Sequence, residues 1–169
     1  VGGEKMSKSL GNFVTLVDLI AEHDPRAYRL VVLQSHYRSP VEVTATSIAN
    51  AEAALDRLDT FARRVRGLPD AVADQARMDA FRERMDDDLD TPAATAGLFA
   101  CVTDANRMLD EGDEAAAAPV VAAWRSMLDA VGLVIRDRPD EVPTAILARA
   151  AARDDARAAK DWGAADAIR

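Results

Sequence analysis

With 169 residues, the sequence has room for one domain or two small ones. Its net charge of −8 excludes a generally basic nucleic-acid surface, and its single cysteine, Cys101, excludes a disulfide framework or a thiolate zinc cluster within this chain. No apolar run approaches the roughly 20 residues of a membrane span and there is no signal-peptide pattern, so a reducing cytoplasmic setting without a membrane fits best.

Apolar residues make up 49% of the chain, aromatics only 5%, and alanine is abundant, a mix that favours helices packed closely through small side chains. The charge is unevenly spread. Residues 1–66 hold 9 Lys/Arg against 8 Asp/Glu, residues 67–119 hold 4 against 13, and residues 120–169 hold 8 against 8. The acid therefore sits in the middle and leaves both ends free to meet an anion.

The chain opens on "VGGEKMSKSLGNF", where Lys5 and Lys8 stand three apart among serines, with glycines on either side. Such a loop can close on a nucleotide and bring two point charges to a departing pyrophosphate, with Ser7 and Ser9 as hydroxyl donors. The alternative is a solvated charged turn. Thr15 with Asp18 reads as a capping box for a short helix to about Glu22. Asp24-Pro25 supplies an N-cap and a first-turn proline for a second helix through "RAYRLVVLQSHY". "RSPVEVT" (Arg38 to Thr44) is a connector, because Pro40 pushes Ser39 into an extended conformation.

From about Ala45 to Val65, the positions Ile48, Leu55, Leu58, Ala62 and Val65 make one stripe of a long amphipathic helix, ended by "GLPD". Another helix covers about Asp74 to Met85, with Met78, Phe81 and Met85 on one face. "DLDTP" breaks it, and Asp90 or Thr91 caps the next, which runs through Leu98, Val102, Ala105 and Leu109 to Gly112. A further helix from about Ala115 to Val131 is closed by Gly132. After a polar linker at 136–142 come Thr144 to about Lys160, then a last helix from Trp162. This is an all-α, antiparallel helical bundle.

Several residues admit two readings. The acidic run "MDDDLD" (Met85 to Asp90) suits a hard cation but lacks the spacing of a known loop, so solvated and capping aspartates are preferred. Cys101 lies on an apolar face and reads as core. His23 can cap a helix C-terminus. His36 either makes a local structural bond or faces a substrate, and Arg38 is a candidate phosphate contact. Arg149, Arg153, Arg157 and Lys160 recur along one helix face, where they can follow a phosphate backbone or pair with Asp154, Asp155 and Asp161. Trp162 can stack on an unpaired base or lock two helices together, and packing is the preferred reading.

"KMSKS" is the second signature of class I aminoacyl-tRNA synthetases. "GEKMSKSLGNF", "DPRAYRLVVLQSHYRSPV", "MDDDLDTPAA" and the closing "ARAAKDWGAADAIR", in that order, resemble the cysteinyl-tRNA synthetase family. The resemblance implies that residues 1–12 end a Rossmann-type catalytic domain and that 13–43 connect it to the bundle and approach the inner side of the tRNA. It implies further that 44–135 resemble an anticodon-binding domain and that 136–169 begin a small module for tRNA recognition. It implies Lys5, Met6, Ser7, Lys8 and Ser9 as the ATP-binding loop, with Lys8 nearest the pyrophosphate, and ATP, cysteine and cysteine tRNA as substrates of a monomeric parent. Zinc is implied for the parent, with ligands outside this chain. The opening without methionine and the end within a helical pattern suggest a piece of a larger enzyme, inactive alone, whose loop at 1–12 is then disordered. The rivals are a related ligase joining cysteine to a glucosamine-inositol acceptor, and a non-catalytic helical RNA-binding or interaction module.

Overall fold

The structure is a computed structural model that describes residues 15–136 and 144–168. All regular structure among them is helical: α1 (Leu16–Glu22), α2 (Pro25–Leu33), α3 (Ala45–Arg64), α4 (Gln75–Asp86), α5 (Thr91–Asp110), α6 (Glu114–Ala130), α7 (Thr144–Ala158) and α8 (Trp162–Ala167). The chain divides into two compact units, residues 1–137 and 138–169.

Short polar side chains set the helix starts. Thr15 and Thr44 form capping boxes with Asp18 and Ser47, and Asp24, Asp74, Asp90 and Asp113 each accept from a backbone N–H of the first turn. Three of these six caps lie in the acidic middle of the sequence, so part of its negative charge is spent on helix N-termini, where the dipole favours it. Asp90, rather than Thr91, is the N-cap of α5; Thr91 is already helical and Pro92 follows in the first turn. Gly112 and Gly132 end α5 and α6 with φ of +80° and +63°, a conformation that side-chain-bearing residues rarely adopt.

The helix after Asp24 stops at Leu33, four residues short of the expected Tyr37. Ser35 explains this: its hydroxyl donates to the Val31 carbonyl at 3.1 Å and its N–H to Val32 at 3.1 Å, tightening the last turn, and Ser39 N–H then turns back to the His36 carbonyl. His36, Tyr37 and Arg38 are thereby released from the helix into the connector.

In the first unit α5 and α6 form the most extensive helix pair, α2 packs on α3, α4 lies on α5 and α6, and both α2 and α3 reach α5. The predicted stripe of α3 is buried throughout, from Ile48 to Val65, and faces Leu30 of α2, Leu98 and Ala105 of α5, and Val121 and Trp124 of α6 in one core. Trp124 meets Phe61 edge to face, with ring centroids 4.9 Å apart. Ala27, Ala51, Ala54, Ala94, Ala105 and Ala123 are each no more than 4% exposed, and their small side chains let the helix backbones approach closely. Burying each Leu of this core stabilises the fold by about 1.5–3 kcal/mol. The second unit consists of α7 packed against α8.

Candidate functional site

The lysine loop, Lys5, Met6, Ser7, Lys8 and Ser9, and the expectation of disorder there lie outside the described residues. What the structure describes is the path by which that loop is joined to the bundle: α1, α2, the connector and their attachments.

One attachment is enclosed. Arg26, in the first turn of α2, reaches Asp59 of α3 with Nη1 donating to Oδ1 and Nη2 donating to Oδ2, each at 2.9 Å. The same guanidinium donates to Asp24 through Nη2 at 2.7 Å and to the Val134 carbonyl at 3.1 Å. Asp59 also accepts the backbone N–H of Arg136 at 2.8 Å, and the Arg136 side chain lies 3.3 Å from Asp24. The Arg26 side chain is 12% exposed and that of Asp59 8%. Such burial is tolerable because each carboxylate receives several donors in a planar, bidentate arrangement that lysine cannot make. Hydrogen bonding to Asp59, and secondarily to Asp24, raises the Arg26 pKa against the opposing cost of burial. The Arg26 side chain holds the Asp24 carboxyl below its ordinary value. This hub joins the start of α2, the middle of α3 and the segment leaving α6.

The second attachment is open. Tyr37 donates its hydroxyl to Asp88 Oδ1 at 2.6 Å, and Arg38 Nη1 donates to Asp88 Oδ2 at 3.1 Å. His36 Nε2 stands 3.9 Å from the same Oδ2, and its ring stacks on Tyr37 with centroids 4.9 Å apart. The hydrogen bond from Tyr37, reinforced by Arg38, lowers the Asp88 pKa, and the same bond raises that of Tyr37. Thus Arg38, read from the sequence as free for phosphate, is engaged by a carboxylate of the acidic run, although its side chain remains 69% exposed.

Three residues of the basic stripe, Arg149, Arg153 and Arg157, lie on α7, whereas Lys160, expected on the same helix face, lies past its end. Arg149 and Arg157 are exposed, Arg153 is partly covered, and Lys160 is exposed just beyond the helix at φ 60°. Arg149 donates one N–H to the Ile168 carbonyl at 2.9 Å, bracing α7 against α8. Asp161 caps α8 rather than serving the stripe. The preferred packing reading of Trp162 is corrected: its side chain is 62% exposed. It opens the six-residue α8.

Cys101 is buried beside Leu98 as expected, and burial pushes its thiol pKa up, against the pull of the nearby Arg77. A thiol held neutral in this way is a poor nucleophile and a poor ligand. Among the described residues no three His, Cys, Asp or Glu side chains stand where they can hold a metal ion, the "MDDDLD" run included.

Sequence reading found Arg38 but missed its partner Asp88, and it missed the Arg26–Asp59 pair altogether. Asp59 carried a signal: it is a carboxylate on the apolar stripe of α3, four residues after Leu55 and three before Ala62, so it needs a partner. Asp88 carried none, because nothing in local spacing ties residue 88 to residue 38. His23 matches its reading as the C-cap of α1, and it also contacts Glu52 at 3.2 Å.

Residues 1–53 match the family of tRNA synthetases class I (C) catalytic domain, and residues 80–135 match the DALR domain family. Over its whole length the chain is 40% identical to the cysteine–tRNA ligase of Halorhodospira halophila, 39% to that of Pseudomonas syringae pv. syringae and 38% to that of Stutzerimonas stutzeri. It spans 38% of the length of each of these relatives. With a catalytic-domain match followed by a DALR match, and relatives aligned from end to end, this chain belongs to the cysteine–tRNA ligase family, over the C-terminal part of that family's length.

Proposed function

We propose that the chain forms the C-terminal part of an enzyme that activates cysteine with ATP and attaches it to cysteine tRNA. In this reading residues 1–12 complete the catalytic domain, 13–43 are the connecting region, 44–135 bind the tRNA, and 136–169 begin the module that helps to read the anticodon. The enzyme is cytoplasmic and monomeric.

The first reaction joins the cysteine carboxylate to the α-phosphorus of ATP and releases pyrophosphate. Lys8, aided by Lys5 and the hydroxyls of Ser7 and Ser9, neutralises the charge that grows on the departing phosphates. The second reaction passes the cysteinyl group to the terminal adenosine of the tRNA and makes no use of this charge. Arg38, Arg149, Arg153, Arg157 and Lys160 then meet phosphates, and Trp162 offers an open aromatic face for a base. The α2 hub gives this division of labour a mechanical basis, because it fixes the connector and the exit from α6 to the same point of α3.

The observation that carries the reading is the alignment of the whole chain with cysteine–tRNA ligases at up to 40% identity. It is tested by charging of cysteine tRNA by the full-length protein, with the anticodon intact and then replaced. Charging that drops sharply on replacement supports the reading. Cysteine-dependent pyrophosphate exchange with no charging of any tRNA refutes it in favour of a ligase with a small-molecule acceptor. Within the same assay Lys8→Ala lowers pyrophosphate exchange by about two or more orders of magnitude, as loss of a transition-state charge contact does, and leaves tRNA affinity nearly unchanged. Unchanged exchange removes the role given to Lys8.

A further inference from the structure

Three successive side chains of the connector converge on one carboxylate: Tyr37 at 2.6 Å, Arg38 at 3.1 Å and His36 at 3.9 Å from the oxygens of Asp88. A hydroxyl, a guanidinium and an imidazole aimed at two oxygens of one anion make a phosphate grip as well as a carboxylate grip. The surroundings separate the two uses. A tie built to hold the fold is enclosed, as the Arg26 hub is. Here Arg38 is 69% exposed and Asp88 51%, so a second anion can reach the donors while Asp88 is still on them.

The turn that presents Asp88 adds a second observation. Asp88 and Leu89 both adopt left-handed backbone, with φ of 51° and 53°. Aspartate tolerates this region; leucine does so at a cost, and Leu89 is half exposed, with little packing to offset it. The turn is closed by its own backbone bonds, from Asp90 N–H to the Arg84 and Asp87 carbonyls, and it sets the Asp88 carboxylate out toward the connector.

We infer that His36, Tyr37 and Arg38 form a site for one phosphodiester of an RNA backbone, and that Asp88 is its built-in competitor. The inference rests on the RNA-binding reading of the connector given above. Asp88 occupies the donors until an RNA phosphate displaces it, which discriminates against weakly held anions and charges each productive encounter with the exchange of one carboxylate for one phosphate.

The test measures binding of a cysteine tRNA transcript and of an unrelated RNA hairpin to the full-length protein across a salt series. Asp88→Asn keeps the left-handed turn and removes the competing charge. It should tighten binding of both RNAs by about 3–10-fold near 0.1 M salt and leave the slope of log affinity against log salt nearly unchanged, because the phosphate contact forms in the wild type too. Asp86→Asn removes the same charge two residues away, where no contact with 36–38 exists, and should give a smaller gain. Adding Tyr37→Phe or Arg38→Ala to Asp88→Asn should abolish the gain. Equal effects of Asp88→Asn and Asp86→Asn, or weaker binding by Asp88→Asn, overturn the inference. If the protein shows no preference for cysteine tRNA but Asp88→Asn still tightens both RNAs, the ligase reading fails and the phosphate site stands.

Discussion

The two attachments of the connector are made from the same residue types in opposite surroundings. At one end Arg26 is enclosed between Asp24 and Asp59, with a bidentate pair at 2.9 Å and the backbone of residues 134 and 136 closing the arrangement. At the other end Arg38 holds Asp88 in open solvent, with no backbone donor on the carboxylate among the described residues. Enclosure raises the cost of breaking a pair, because a deserted charge cannot be rehydrated where it stands. Exposure removes that cost, since water and salt ions replace either partner. The first pair is thus suited to fixing geometry and the second to exchange.

The largest expected effect comes from breaking the enclosed pair. Arg26→Ala leaves Asp59 buried with only the Arg136 N–H, and should destabilise the chain by about 3–5 kcal/mol in urea unfolding. Arg26→Lys should recover little of this, because an ammonium cannot donate to both oxygens of Asp59 and to Asp24 at once. Full rescue by lysine would mean that charge alone, and not the planar fork, holds the hub.

Acid should sharpen the same contrast. The Asp24 pKa is lowered from its ordinary 3.8 by the Arg26 side chain. A carboxyl with a depressed folded-state pKa contributes stability that is fully present above its unfolded value and is lost as the pH falls through the folded one. Stability should therefore fall as the pH drops below about 3.8, and the part belonging to Asp24 should shrink in the acid limb of Arg26→Ala, where only the residue-26 N–H and Arg136 still favour the carboxylate. Parallel acid limbs in wild type and variant would show that Asp24 does not depend on Arg26.

How much of this was legible in the sequence depends on how far apart the interacting residues lie. Elements set by local chemistry were readable to within a residue or two: the capping box at Thr15 was named, the helix after Thr44 starts where it was expected although its Thr44–Ser47 box was not read, and Gly112 and Gly132 stop their helices. The α3 stripe was readable because period alone puts Ile48, Leu55, Leu58, Ala62 and Val65 on one face. The end of α2 was missed because the stop signal is a serine hydroxyl competing for the Val31 carbonyl, which sequence does not distinguish from an ordinary helical serine. The partner of Arg38 was missed because the pair spans 50 positions, and the partner of Arg26 because it spans 33. Trp162 is exposed among the described residues although its type favoured packing, because residue type says how apolar a side chain is and not what lies beside it.

The smallest expected effect is on the open pair, and it is the one that separates holding from exchanging. Arg38→Ala removes a pair whose two side chains are 69% and 51% exposed, so both charges are already largely hydrated. Its urea midpoint should match wild type within replicate scatter at low salt. Raising the salt to about 0.5 M, where exposed charges farther apart than a few ångströms no longer sense each other, should shift both proteins alike. Arg26→Ala, by contrast, should lose as much at high salt as at low, because ions do not enter its enclosure. If Arg38→Ala instead lowers the midpoint as far as Arg26→Ala does, Asp88 is fastening the α4–α5 turn to the connector as a structural brace. A brace of that strength would not yield to a phosphate, so this one unfolding comparison also bears directly on whether the connector exchanges Asp88 for RNA.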